Sequence, residues 1–197
     1  MKENIKQEQI LEAAIKRLSH FGVHKTTLTE IADDLNLTKQ ALVYYYHDKA
    51  SLVASVGQKI ASEFLQEVEK LMDNDKPVAD AFADLIEMRH KFFGKYYMLF
   101  VQMKTDGLGR SAEFEKVRKD SQEAEAHLLA EKLNRAVALG EIASVNALQT
   151  VKLLLETITA LAQSSYNNCP VPTEIDFSSL ATKQKKVVRM MLNGLRK

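Results

Sequence analysis

The amino-acid sequence predicts an all-α protein, with three short helices at the N-terminus followed by a larger helical body. Apolar residues recur every three or four positions along most of the 197 residues, the spacing that aligns them on one face of a helix. Seven glycines and three prolines are too few for the frequent turns of an all-β chain. With 46% hydrophobic and 27% charged residues, the composition is globular rather than disordered.

The first two helices are predicted between residues 10 and 35. The first is expected to end at Gly22, because glycine commonly follows a helix C-terminus. Either Thr26 or Thr27 can cap the second helix, and Glu30 completes a capping box with Thr27. The first helix is expected to have one buried face, formed by Leu11, Ala14, Ile15, Leu18 and Phe21.

A third short helix is predicted from Lys39 to Tyr45, with Thr38 as its cap. Asn36 precedes it, and asparagine tolerates the left-handed backbone that a tight turn requires. Leu42 and Tyr46 are four residues apart, so we expect both to face inward. The outward face is then formed by Gln40 and Tyr44, with Lys39 and Val43 beside them.

Further helices are predicted along the rest of the chain. Their approximate ranges are 50–72, 78–93, 112–139, 145–165 and 178–196, with an aromatic-rich piece at 96–103. The single cysteine, Cys169, excludes an intramolecular disulfide and argues against a cysteine-based zinc site. We expect two domains, one at residues 1–48 and a larger one at residues 49–197.

The second and third helices, joined by a brief turn, have the arrangement of a helix-turn-helix. Placed in a major groove, Gln40 can bind adenine bidentately and Lys39 can reach a guanine edge or a phosphate. Thr27, Thr38 and Lys49 lie at predicted helix starts, where hydroxyls, amides and the helix dipole can receive phosphates. The alternative is that the two helices only pack against each other.

Residues from about 10 to 52 resemble the DNA-binding head of the tetracycline-repressor (TetR) family. The resemblance rests on segments 10–14, 21–22, 26–32 and 37–46, together with Lys49 and Leu52. It implies a three-helix DNA-binding head, a long connecting helix and a helical body that forms the dimer and usually holds a small-molecule pocket. The DNA-contacting residues implied are Thr27, Thr38, Lys39, Gln40, Ala41, Tyr44, Tyr45 and Lys49.

Three positions depart from the family pattern. Asn36 replaces the usual glycine, and Gln40 stands where a small residue is common, so its amide is available to contact a base. Val43 replaces a frequent tyrosine, which removes one hydroxyl able to contact a phosphate.

The charge balance of the head predicts a dimer. Residues 1–50 contain seven Lys or Arg against seven Asp or Glu. A neutral monomer should bind DNA weakly, because affinity depends on the number of phosphates neutralised. We expect a homodimer on a pseudo-palindromic operator, formed through the helices at about 145–165 and 178–196. The alternative is that these two helices only close the body's own core.

A cluster of large apolar side chains is the candidate ligand site, because such side chains with a few polar tips are typical of small-molecule pockets. Plain core packing is the alternative. We expect no cofactor or metal, only an effector of unidentified structure. The candidate residues are Met88, Phe92, Phe93, Tyr96, Tyr97, Phe100 and Met103, with His127 as a polar anchor and Arg89 and His90 nearby.

The hypothesis from sequence is a homodimeric DNA-binding transcriptional regulator, a repressor that a small molecule releases from its operator. Two alternatives are an architectural or partner-controlled DNA-binding protein without an inducer, and a helical protein–protein interaction module. An enzyme is not expected, because the sequence has no glycine-rich phosphate loop, nucleophile elbow or zinc-binding histidine pair. The polar N-terminus and the short apolar runs predict a cytoplasmic protein without a membrane span.

Overall fold

The computed structural model describes residues 2–97, 99, 111–167 and 177–196. Its described elements are all helical, which confirms the predicted fold class. A single isolated pair, Ile142 with Arg196, is the β-type contact recorded among these residues. The helices are α1 Lys2–Phe21, α2 Leu28–Asp33, α3 Lys39–Tyr45, α4 Lys49–Met72, α5 Val78–Lys95, α6 Ala112–Ala138, α7 Ala147–Asn167 and α8 Phe177–Asn193.

The chain forms two compact units. The head unit contains residues 1–64 and 94–121, and the body unit contains residues 65–93 and 122–197. Packing thus groups the first part of α4 and the start of α6 with the three N-terminal helices. The expected domain boundary between residues 48 and 49 remains a prediction.

The head unit has an apolar core to which each of its first four helices contributes. One face of α1 is buried, but Phe21 is 50% exposed, so its predicted place in that face is wrong. The Arg17 guanidinium lies 5.1 Å from the centre of the Phe21 ring and covers part of it instead. The principal core side chains are Ile10, Ala14, Leu18, Ile31, Leu42, Leu52, Val53, Val56 and Ile60.

The two neighbouring threonines before α2 have different roles. Thr27 is the cap: its hydroxyl accepts from the Glu30 amide, and the Glu30 carboxylate accepts from the Thr27 amide at 2.8 Å. Thr26 is fully buried and donates its hydroxyl proton to the Gly22 carbonyl at 2.7 Å. The predicted capping box is confirmed, with Thr27 as the cap.

Gly57 on α4 faces the Phe114 ring near the start of α6. A Cβ atom at this position would lie 2.7 Å from Cε2 of the half-buried Phe114 ring. Glycine inside a helix costs about 1 kcal/mol relative to alanine. The missing Cβ therefore makes room for an aromatic ring.

The body unit has α5 as one of its main buried elements. Seven of its residues between Val78 and Ile86 are buried. The helix continues through Gly94 to Lys95, two residues beyond its predicted end, because a glycine weakens a helix without forcing it to stop.

The C-terminal end of α4 is held by two basic side chains of α6. Arg135 donates to the Met72 carbonyl at 2.7 Å, and the Lys132 ammonium donates to the Asn74 carbonyl. Burial lowers the pKa of Lys132. The Met72 carbonyl is one that a helix C-terminus leaves without an intrahelical partner, and the Asn74 carbonyl lies in the segment that follows the helix.

The last two helices, α7 and α8, pack against each other with an apolar seam. Outside the seam, Leu153 on α7 and Met190 on α8 are 56% and 65% exposed. No helix in the described ranges is long and apolar enough to cross a membrane. The seam contains Val151, Leu154 and Ile158 from α7, and Leu180, Val188 and Leu192 from α8.

Candidate nucleic-acid interface

Helices α2 and α3 are joined by a tight turn that sets their relative direction. Both the Leu35 and the Leu37 amides donate to the Ala32 carbonyl, at 3.0 and 2.9 Å. Between them, Asn36 has a φ of 52°, which confirms the left-handed conformation predicted for this residue. The turn therefore has the geometry of a helix-turn-helix, in which the second helix is free to present one face.

Helix α3 divides into an inward and an outward face. Leu42 is fully buried and Tyr46 is 8% exposed, which confirms the two inward positions. Burial raises the pKa of the Tyr46 phenol, and the Glu8 carboxylate adds to the effect. Lys39, Gln40 and Tyr44 are exposed, as predicted. The outward face thus offers a cation, an amide and a phenol together.

Tyr44 is the most exposed aromatic residue of this face, at 76%. Its ring meets the Tyr45 ring edge to face, with 5.2 Å between centroids and 90° between planes. Tyr45 is half-buried, so it supports the orientation of its neighbour. Ala41 and Val43 are also half-buried beside this face.

The predicted phosphate-binding hydroxyls differ in what they already bind. The Thr27 hydroxyl donates to the Glu30 carboxylate at 2.9 Å, so its proton is directed at an acidic group. The hydroxyl of Thr38 caps α3 by accepting from the Ala41 amide at 3.1 Å, which leaves a hydroxyl proton to donate. Of the two, Thr38 has the better geometry for a phosphate.

Lys49 begins α4 and is half-exposed. The preceding Asp48 caps this helix, because its carboxylate accepts from the Ser51 amide at 2.7 Å. That hydrogen bond lowers the pKa of Asp48, and the nearby His47 ring contributes to the same direction. The cap holds the start of α4, and therefore the Lys49 backbone, in place.

Acidic groups on α2 and in the turn after it are neutralised from α1. Arg17 pairs with Asp34 at 2.8 Å and with Glu30 at 3.6 Å. Glu30 and Asp34 lie thirteen and seventeen positions after Arg17, spacings that follow no helical period, so nothing in the local sequence indicates these pairs. Arg17 therefore joins α1 to α2 and reduces the negative charge beside the outward face.

The candidate ligand residues are distributed over both units. Met88, Phe92 and Phe93 lie on α5 in the body unit and are half-buried, whereas Tyr96 and Tyr97 belong to the head unit. Of the other three, Phe100 and Met103 lie outside the described residues, and the His127 side chain is 60% exposed and 3.4 Å from Glu123.

Two polar pairs in the body unit were not predicted as pairs. Arg89 on α5 binds the Glu125 carboxylate on α6, and Glu125 is 5% exposed. His90 donates to the Gln184 amide oxygen at 2.7 Å, and the Gln184 amide donates to the Ile158 carbonyl. Within the described ranges, no group of three His, Cys, Asp or Glu side chains is arranged to hold a metal ion.

The helical fold, with an exposed polar and aromatic face on the second helix of a helix-turn-helix, defines the class of helix-turn-helix proteins. Residues 10–56 match the family model described as bacterial regulatory proteins, tetR family. This match covers the three N-terminal helices and the start of α4, the same part of the chain in which the sequence resembles the TetR family.

A known regulator matches part of the chain. The HTH-type transcriptional regulator RutR of Escherichia coli K12 is 32% identical over 74 residues, 38% of this chain and 35% of RutR. The match thus spans about a third of that relative's length.

Solved structures cover nearly the whole chain. A transcriptional regulator from Cytophaga hutchinsonii has a TM-score of 0.84 at 24% identity, covering 98% of this chain and 99% of that one. SmeT, the repressor of the multidrug efflux pump SmeDEF of Stenotrophomonas maltophilia, has a TM-score of 0.69 at 18% identity, covering 97% and 90%. At these identities the likeness concerns the fold.

Proposed function

We propose that the protein is a homodimeric transcriptional regulator that represses by binding a pseudo-palindromic DNA operator. The observation that carries the proposal is the exposed face of α3, which presents Lys39, Gln40 and Tyr44 beside a buried Leu42. A cation, an amide and a phenol on one short helix are groups that read base edges and bind phosphates.

In this proposal α3 enters the major groove. Gln40 binds the N6 and N7 groups of an adenine, and Lys39 binds a guanine edge or a phosphate. Tyr44 contacts the DNA backbone or a thymine methyl group, with Tyr45 behind it. Thr38 and Lys49 bind phosphates on either side of the groove and fix the register of the helix, with Ala41 close to the groove floor.

Dimerisation doubles these contacts. One head has few cations for phosphates, so two heads are needed for tight binding at physiological salt. The recognition helices of a dimer then lie about 34–36 Å apart, in successive major grooves. The exposed apolar residues of α7 and α8 support these helices as the dimer interface. Residues 1–48, together with Lys49, then contact DNA, and the rest of residues 49–197 serves dimerisation and ligand binding.

Release by a small molecule completes the proposal. Known proteins with this fold include a repressor of an efflux pump, SmeT. A ligand that binds better to a dimer with a different head spacing shifts the population away from the DNA-bound form. The shift is limited by the difference in affinity, which typically amounts to about 1–3 kcal/mol of coupling.

The test is a titration of the purified protein against the DNA upstream of its own gene. It is made at two salt concentrations, with unrelated DNA as competitor and with operators selected from random DNA in parallel. We expect sequence-selective binding that weakens steeply as salt increases. Equal affinity for selected and unrelated DNA at both salt concentrations would reject the proposal.

A further inference from the structure

A chain of polar contacts crosses the head unit from the segment after α5 to α1. Tyr96, which is 4% exposed, donates its hydroxyl proton to Glu63 on α4 at 2.6 Å. The other Glu63 oxygen lies 3.5 Å from the Lys59 ammonium, and Lys59 in turn binds Glu8 on α1. Four side chains thus connect three segments that are far apart in sequence.

The chemistry of these contacts favours an ionised Glu63 that accepts from the Tyr96 hydroxyl. A buried tyrosine hydroxyl requires a hydrogen-bond partner, and a carboxylate is a strong acceptor. Partial burial acts to raise the pKa of Glu63, but the Tyr96 hydroxyl and the ammonium groups of Lys95 and Lys59 outweigh it and lower that pKa. Glu63 is therefore a carboxylate at neutral pH and accepts from Tyr96 and the lysines together.

The position of this chain of contacts matters because α4 follows the helix-turn-helix directly. Only residues 46–48 separate α3 from α4. Lys59 and Glu63 lie about three to four helical turns further along α4. A contact there with α1 fixes the direction in which α4 leaves the three N-terminal helices.

We propose that Tyr96 is a positioning residue for DNA binding, which acts through Glu63, Lys59 and Glu8 to set the angle of the N-terminal helices on α4. In the dimer that angle determines the half-site spacing that the two recognition helices accept. This inference rests on the proposed function and adds the contacts that set the half-site spacing. The packing of Phe114 against Gly57 supports the same placement of α4.

The experiment compares three variants on DNA duplexes that carry two half-sites recovered by selection from random DNA. The spacing between the half-sites is varied by single base pairs. Tyr96→Phe removes one hydroxyl, and Lys59→Met removes the link to α1. Lys70→Met is the control, because Lys70 is also on α4 but pairs with Glu67 on the same helix at 3.0 Å.

We expect the wild type to prefer one spacing. Tyr96→Phe and Lys59→Met should reduce that preference by about fivefold or more, the lower end of typical coupling between sites. Lys70→Met should keep the preference. If Tyr96→Phe and Lys59→Met leave the spacing preference unchanged, or weaken all spacings equally, the positioning role is wrong.

A second measurement separates this inference from the proposed function. Amide hydrogen exchange without DNA should become faster in residues 5–12 of α1 in both Tyr96→Phe and Lys59→Met, and not in Lys70→Met. Unchanged exchange in residues 5–12 of Tyr96→Phe would overturn the proposed linkage, because Tyr96 reaches α1 only through Glu63 and Lys59 in this chain of contacts. A wild-type protein without selective DNA binding would reject the proposed function, and with it the control of spacing.

Discussion

At the scale of single residues, the proposed complex with DNA assigns base recognition to Gln40. It is exposed on the outward face of α3, and a glutamine amide matches the N6 and N7 groups of adenine. Gln40→Ala should weaken operator binding by about 1–3 kcal/mol and leave nonspecific binding nearly unchanged. Gln58→Ala, an exposed glutamine on α4, is the matched control. Equal losses on operator and unrelated DNA would reject direct base reading.

Lys49 should behave in the opposite way, because a phosphate contact carries no sequence information. Lys49→Ala should weaken binding to all DNA sequences alike and reduce the slope of log affinity against log salt by about one. Both quantities come from one series of titrations at increasing salt. An unchanged slope would remove Lys49 from the phosphate contacts.

Titration of Glu30 should make the stability of the protein depend on pH. The Thr27 amide and hydroxyl, with smaller help from Arg17, lower the pKa of Glu30. A carboxylate with a folded-state pKa below its unfolded value stabilises the protein above the unfolded pKa, and this contribution disappears as pH falls through the folded pKa. Glu30→Gln keeps an acceptor for the Thr27 amide but cannot titrate.

We therefore expect Glu30→Gln to lose less stability than the wild type between pH 7 and pH 3. Urea unfolding followed by far-ultraviolet circular dichroism measures both free energies. Parallel losses in the two proteins would show that the Thr27–Glu30 hydrogen bond contributes no pH dependence.

The sequence was sufficient to predict the conformation and burial of residues that depend on near neighbours. Leu42, Tyr46, Asn36 and the capping box follow from spacing and from backbone preferences over three or four positions. Arg17 was not predictable, because its partners follow no local period. Phe21 was misplaced for a related reason: helical spacing identifies a face, but the end of that face depends on what the rest of the fold covers.

At the scale of helices, helix propensity alone would predict the wrong effect for a substitution of Gly57. Alanine is favoured over glycine inside a helix by about 1 kcal/mol, but a Cβ here would lie 2.7 Å from the Phe114 ring. Gly57→Ala should therefore destabilise the protein by about 1–3 kcal/mol, the usual effect of overpacking.

The double-mutant cycle with Phe114→Ala tests the cause. Once the ring is absent, Gly57→Ala should become stabilising by up to about 1 kcal/mol, its intrinsic helix preference. Urea midpoints of the four proteins give the coupling energy. A wild-type background that gains the full amount from Gly57→Ala would mean that the Phe114 ring moves aside freely.

Helix boundaries were predictable to within a few residues where a cap is present, as at Thr38. At Gly94 the sequence predicted a helix end that is absent, and α5 continues to Lys95, two residues beyond its predicted end. The packing of helices could not be derived from periodicity. Tyr96 and Glu63 are 33 positions apart, and nothing in their local sequences indicates that they meet.

At the scale of the whole molecule, the proposed dimer explains the exposed apolar residues of the last helices. Leu153 on α7 and Met190 on α8 expose more than half of their surface. A large apolar side chain left in water gives up the stabilisation that burial provides. In the proposed dimer, pairing with a second copy would recover this stabilisation. Leu139 is also exposed, at 84%, but follows the end of α6 in a turn.

The different positions of Leu139, Leu153 and Met190 allow a matched experiment. Leu153→Glu and Met190→Glu should convert the dimer to monomers, because a buried charge without a partner costs several kcal/mol. Leu139→Glu should stay dimeric. Analytical ultracentrifugation measures the oligomeric state of each variant, and circular dichroism checks that the helices remain. The monomers should also have about half the wild-type slope of log affinity against log salt, since they contact half as many phosphates. If all three variants remain dimers in solution, the interface lies elsewhere.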